Sequence, residues 1–254
     1  MPMELFDLTG KFALVTGAAR GMGRAMAQAL YDHGATVALV GLHETVKETC
    51  EQIDPTGERA LPFVADLARR EEIDRVFDEV LSAFNGRLDI LVNNAGINLR
   101  HPPEEFPLED WDQVMRLNLD AVFILAQKAG QVMLRQGAGK IINMASLTSF
   151  FGGTTIPAYT AAKGAVAQLT KALSNDWRGK GICVNAIAPG YIATDMNTAL
   201  INNPERSRKI MDRLPCKEWG KPEDMMGPVV FLASAASDYV SGHVLVVDGG
   251  YMGM

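Results

Sequence analysis

Tyr159 and Lys163 stand four residues apart. On a helix they would project from one face, one turn apart. A phenol beside an ammonium is a poised acid/base, because the positive charge favours the phenolate and lowers the tyrosine pKa. A free tyrosine titrates near ~10, so work near pH 7 asks for about 3 units, or roughly 4 kcal/mol. One lysine supplies part of that, and a second cation beside the ring would supply more. Ser146, thirteen residues before Tyr159, follows an apolar run at 140–145 that reads as a buried strand. Its hydroxyl can hydrogen-bond the same substrate oxygen that the phenol protonates. Taken alone, the Tyr/Lys pair also fits an ordinary helix surface pair, so its meaning depends on the elements around it.

Those elements alternate. Residues 11–16 read as a first strand, followed by Gly17-Ala-Ala-Arg20-Gly21-Met22-Gly23 and a stretch of helical composition at 24–30. A glycine turn between strand and helix lets the backbone approach a pyrophosphate at the helix N-terminus. The spacing is G-x-x-x-G-x-G rather than G-x-G-x-x-G. Further strands are expected at 35–40, 60–66, 88–92, 140–145, 181–188 and 243–247. Helices are expected at 69–84, about 108–136, 157–178 and 222–235. The 69–84 helix carries Ile73, Val76, Phe77, Val80 and Leu81 at helical spacing. Asn118 falls inside the long 108–136 helix, where asparagine is mildly unfavourable. Residues 191–214 read as a polar, irregular excursion that would serve as a substrate lid.

Strands alternating with helices predict a single α/β domain over 1–254, a doubly wound and mostly parallel sheet. Such sheets bind ligands beyond the carboxyl ends of their strands. The glycine loop, Asp66-Leu67, the Asn93–Gly96 turn, Ser146 and Pro189-Gly190 all fall at such ends. After the second strand, an acidic residue would bond a ribose and a basic one would suit a 2′-phosphate. The chain instead has Gly41-Leu42-His43-Glu44, with Arg20 the nearby cation. The lack of a basic residue there favours NAD, with NADP still open. Arg100, just after the Asn93–Gly96 turn, is the candidate for holding an acidic substrate. Asn98 and Tyr191 are candidates for binding its hydroxyls, and Met196 and Trp219 are candidates for the pocket border.

The net charge of −6 and a pI near 5.3, without a basic cluster, argue against nucleic acid or an anionic membrane as partner. Cys50, Cys183 and Cys216 are odd in number and widely spaced, which disfavours a disulfide framework or zinc site and fits a reducing cytoplasm. No metal is expected. The opening residues show no basic region followed by an apolar one, and no apolar run approaches the length of a membrane span.

Along its full length the sequence resembles the classical short-chain dehydrogenase/reductase family. The resemblance is carried by 16–23 (Thr-Gly-Ala-Ala-Arg-Gly-Met-Gly), Asn93-Asn94-Ala95-Gly96, the set Asn118, Ser146, Tyr159 and Lys163, and Pro189-Gly190 with Ile192 and Thr194. It implies a seven-stranded Rossmann fold and hydride transfer between a nicotinamide and a carbon bearing a hydroxyl or carbonyl. In that family Tyr159 would be the general acid/base, and Lys163 would lower its pKa and bind the nicotinamide ribose. Ser146 would polarise the substrate oxygen. Asn118 would distort its helix and anchor a water in a proton relay. The family is usually tetrameric. Residues 185–194, 219–220 and 226–240 look like its sugar-acid and polyol dehydrogenases. Two other readings stand beside this one: an NADPH-linked 3-oxoacyl reductase, and a non-catalytic dinucleotide-binding sensor.

Overall fold

The computed structural model describes residues 4–253; residues 1–3, part of the opening stretch read above, lie outside it. Each apolar run becomes a strand: β1 (Phe12–Thr16), β2 (Thr36–Gly41), β3 (Ala60–Val64), β4 (Ile90–Asn93), β5 (Gly139–Met144), β6 (Ile182–Pro189) and β7 (Val244–Val247). They pair in the order β3-β2-β1-β4-β5-β6-β7. Every pairing is parallel, so the sheet is more uniform than the mostly parallel one expected. Helices cover both faces, which is why β6 is buried at every position and reads as an unbroken apolar run. On one face α1 (Gly21–Asp32), α2 (Thr45–Ile53) and α9 (Met226–Ala233) bury Met26, Leu30, Val46 and Val229. On the other, α3 (Arg70–Ala83), α5 (Ala121–Gln136) and α6 (Pro157–Trp177) bury Ile73, Phe77, Leu125 and Leu173. The chain order reverses at β1, which lies between β2 and β4, and that opens a crevice at the carboxyl ends.

Three expectations change. The long helix is two helices, α4 (Leu108–Met115) and α5, joined by a π turn at Arg116–Asp120. The cause is Asn118, whose Nδ2 donates to Ile97 O at 2.8 Å and whose Oδ1 accepts from Ile97 N at 2.9 Å. A side chain bonding a distant backbone in this way displaces the regular ladder. Residues 191–214 are largely helical rather than irregular, with α7 (Thr198–Ile201) and α8 (Pro204–Arg213). Asn203 caps α8 by accepting from Arg206 N at 3.0 Å, and Pro204 occupies its first turn. The helix expected at 222–235 ends earlier, at Ala233, after a short 3₁₀ entry at Pro222–Met225.

Candidate active site

A cavity of about 1050 Å³ runs along the carboxyl ends of the strands, from the glycine loop to α8. Its inner end is built by β1 and β4. Thr16 Oγ1 accepts from Asn94 N at 2.9 Å and from Ala95 N at 3.0 Å. Asn94 Nδ2 donates back to the carbonyls of Thr16 at 2.9 Å and Gly17 at 3.1 Å. The two turns thereby lock each other. A Cβ on Gly23 would lie 2.2 Å from Gly17 O, so only glycine closes this loop onto the helix. Gly21 opens α1 at φ +56° and faces the cavity, its nearest would-be neighbour being Thr194 Cγ2 at 3.6 Å.

No side chain caps the N-terminus of α1. Its first N–H groups are therefore left for a ligand at the cavity floor, and a pyrophosphate fits their charge and the glycine surface. Gly17, Arg20, Gly21, Met22 and Gly23 line this end, as do Asp66, Leu67, Ala95 and Gly96 from the neighbouring turns. Pro189, Gly190, Ile192 and Thr194 form the facing wall. Asn93 does not join them. Its side chain turns into the scaffold, where Nδ2 donates to Asn143 Oδ1 at 3.0 Å and Val122 O at 3.3 Å. Asn94, not singled out from the sequence, is the asparagine on the wall. After β2, Leu42 and His43 line the cavity. A Cβ at Gly41 would sit 2.8 Å from Val46 Cβ, so packing excludes an acidic side chain at that position. Arg20 pairs with Asp195 at 2.9 Å and ties the glycine loop to the segment after β6.

Ser146, Tyr159 and Lys163 all line the cavity. Ser146 leaves β5 in extended conformation, and Ser149 fixes it: Ser149 Oγ accepts from Ser146 N at 3.3 Å and donates to Lys163 O at 2.7 Å. One hydroxyl thus joins the serine turn to the helix bearing the tyrosine. Asn118 does not line the cavity; it stands behind the wall and holds Ile97, which does.

The electrostatics correct the expectation for the pair. Burial raises the Tyr159 pKa, and only hydrogen bonding from Ser146 and the charge of Arg100 oppose it. Lys163 is not among the groups pulling it down. Its ammonium donates to Met144 O at 2.6 Å and lies 5.6 Å from the Tyr159 ring centroid. Burial lowers Lys163 itself to about 8. The phenol therefore stands ready as a proton donor in this structure.

At the outer end Arg100, Asn98 and Tyr191 line the cavity, as does Met196. Trp219 instead backs Tyr191, edge-on at 5.8 Å. Tyr251, from the last turn described, packs on Tyr191 at 5.1 Å and carries Arg213 over its own ring at 4.4 Å. Burial first, then hydrogen bonding with Tyr251, pushes Tyr191 up to about 12. Burial lowers the Arg100 pKa, with repulsion from Arg206 second. Arg206 and Thr148 also line this end and carried no recognisable signal in the sequence. Among the described residues no cluster of three or more His, Cys, Asp or Glu could hold a metal.

Residues 17–252 match the family model described as Enoyl-(Acyl carrier protein) reductase. A 2-dehydro-3-deoxy-D-gluconate 5-dehydrogenase of Bacillus subtilis is 46% identical over 249 residues, covering 98% of this chain and 97% of that protein. The chain belongs to the short-chain dehydrogenase/reductase family. A second member, a 2-dehydro-3-deoxy-D-gluconate 5-dehydrogenase of Escherichia coli, is 45% identical over 253 residues, or 99% of each chain. The solved structure of a gluconate 5-dehydrogenase from Burkholderia cenocepacia in complex with NADP and tartrate shares 40% identity. It superposes with a TM-score of 0.95 over 100% of both chains. This short-chain dehydrogenase/reductase is an oxidoreductase with a nicotinamide dinucleotide cofactor, whose pyrophosphate suits the uncapped α1 terminus and glycine loop.

Proposed function

We propose that the chain interconverts a secondary alcohol and a ketone on a sugar acid, as a 2-dehydro-3-deoxy-D-gluconate 5-dehydrogenase does. The observation that carries this reading is the meeting of Ser146, Tyr159 and Lys163 in a cavity whose outer wall carries Arg100. The cofactor, when bound, supplies or accepts the hydride. Tyr159 gives its hydroxyl proton to the carbonyl oxygen during reduction and takes it back during oxidation. Ser146 orients that oxygen by hydrogen bonding. Lys163 leaves Met144 O to hold the nicotinamide ribose, and its charge then supports the phenolate. Asn118 shapes the wall through Ile97 and anchors the proton relay. Arg100 receives the carboxylate, with Asn98 and Tyr191 on the hydroxyls.

The lack of a basic residue after β2 favours NAD, and the NADP in the Burkholderia relative favours the other cofactor. Residues 191–214 act as a lid in this reading. The exposed Leu108, Phe123 and Leu134 of α4 and α5 suit a homotetramer, and three free thiols suit the cytoplasm. The test crosses two cofactors, NADH and NADPH, with two ketones, a 5-keto sugar acid and a short 3-oxoacyl thioester. Turnover of the sugar acid is expected. Turnover confined to the thioester would overturn the assignment.

A further inference from the structure

Two arginines reach the outer end of the cavity from different elements. Arg100 comes from the loop after β4 and Arg206 from the first turn of α8. Their charges are close enough to repel. Other cations on the cavity wall are engaged: Arg20 with Asp195 at 2.9 Å, Lys209 with Glu205 at 2.7 Å, and Lys163 with Met144 O at 2.6 Å. Among the described residues, no carboxylate pairs with the guanidinium of Arg100 or Arg206, and neither group donates a hydrogen bond. The chain does not lack acids, since its 30 Asp and Glu outnumber its 24 Lys and Arg. Two unpaired like charges facing one cavity form a site for an anion, and guanidinium forks match a carboxylate in shape. Two further groups at this end are unfilled. Asn98 Oδ1 and Thr148 Oγ1 are buried without a hydrogen-bond partner, and both residues line the cavity. Both atoms are buried away from the open cavity, so the anion site rests on the two guanidinium groups.

We propose that Arg206 is a specificity-determining residue: from α8 it joins Arg100 in a clamp on the substrate carboxylate. The ligand class is a carboxylate, and the inference deepens the sugar-acid reading on which it rests. Arg206 is exposed on a surface helix, so its replacement leaves the core intact.

The test is calorimetric titration of D-gluconate, and of neutral D-glucitol, into enzyme saturated with NADH, a combination that does not turn over. Arg206→Gln should weaken gluconate binding by about ten- to a hundredfold, the loss of one charge-assisted hydrogen-bonded contact. NADH and glucitol affinities should not move, and Arg206→Lys should restore part of the loss. Equal weakening of both ligands, unchanged gluconate affinity, or no gluconate binding by the wild type would overturn the clamp. Gluconate binding that depends on Arg206, without turnover of any sugar acid, would keep the clamp and overturn the proposed reaction instead.

Discussion

The two ends of the cavity follow opposite rules. Around the glycine loop the side chains are tied into the chain, and only the amides that open α1 are left for a ligand: Thr16 serves two amides, Asn94 serves two carbonyls, and Arg20 holds Asp195. At the outer end Arg100 repels Arg206, and among the described residues neither guanidinium has a carboxylate partner. A site that meets the same cofactor in every cycle can have its side chains fixed in advance. A site that must choose among substrates gains from groups only the right substrate completes. A hydrogen bond to a charged group is worth about 1.5–3 kcal/mol, so an analogue lacking the carboxylate is rejected by about that much.

The comparison can be broken first at the junction of the two ends. Tyr159→Phe should lower kcat by about 10²–10⁴-fold, the usual worth of a general acid/base. Cofactor affinity, followed by NADH fluorescence, should stay near wild type; near-normal turnover would remove Tyr159 from the chemistry. Lys163→Met should weaken both rate and cofactor binding. It should also change the pH dependence of stability. Lys163 is lowered to about 8 in the folded chain, against about 10.4 when unfolded. Between those values the unfolded chain binds more protons, so this group makes stability rise with pH. Denaturant unfolding at pH 7 and pH 10 should show the wild type gaining about 2 kcal/mol relative to the variant. A pH-independent difference would contradict the buried, shifted ammonium.

Thr16→Val attacks the fixed end, leaving two amides without their acceptor. It should destabilise the chain by about 1–3 kcal/mol and loosen cofactor binding. Thermal unfolding with and without NADH separates the two effects. Asp195→Asn probes the same end most gently. Both partners of its ion pair are largely exposed, so NADH release, read by stopped flow, should quicken by no more than about fivefold. A larger change would mean that the Arg20–Asp195 pair gates the cofactor.

The sequence made the sheet legible because its strands are apolar runs separated by helical periods, and Ser146, Tyr159 and Lys163 ride on those elements. What escaped it depends on distant partners. Nothing around Asn118 announces a π turn, because Ile97, which it binds, is 21 residues away in the chain. Adjacent strand residues face opposite ways, so which of Asn93 and Asn94 meets the cavity follows from register rather than composition. The α8 entry was signalled by Asn203-Pro204, a cap and an N1 proline, although the polar composition masked it. The spacing of Tyr159 and Lys163 also says nothing of Met144 O, on which the ammonium rests at 2.6 Å. Arg206 reads as one of several charges on a polar helix until α8 lies over the cavity.

The π turn at Arg116–Asp120 also sets a rotational phase. A π turn holds about one residue more than an α turn, and one residue of α-helix is about 100° of rotation. Along the sequence the apolar stripe of α4 is therefore out of step with that of α5, and the wider turn absorbs the extra residue so that the two helices keep their faces in space. Removing a single residue from the turn could restore an uninterrupted helix. Tightening the turn to α geometry at unchanged length would instead swing α4 by roughly 100°, carrying Val114, wholly buried as it stands, off its seat. Length and phase are coupled here, so losing the extra residue should disturb this stretch less than losing the Asn118 bonds that hold the turn open.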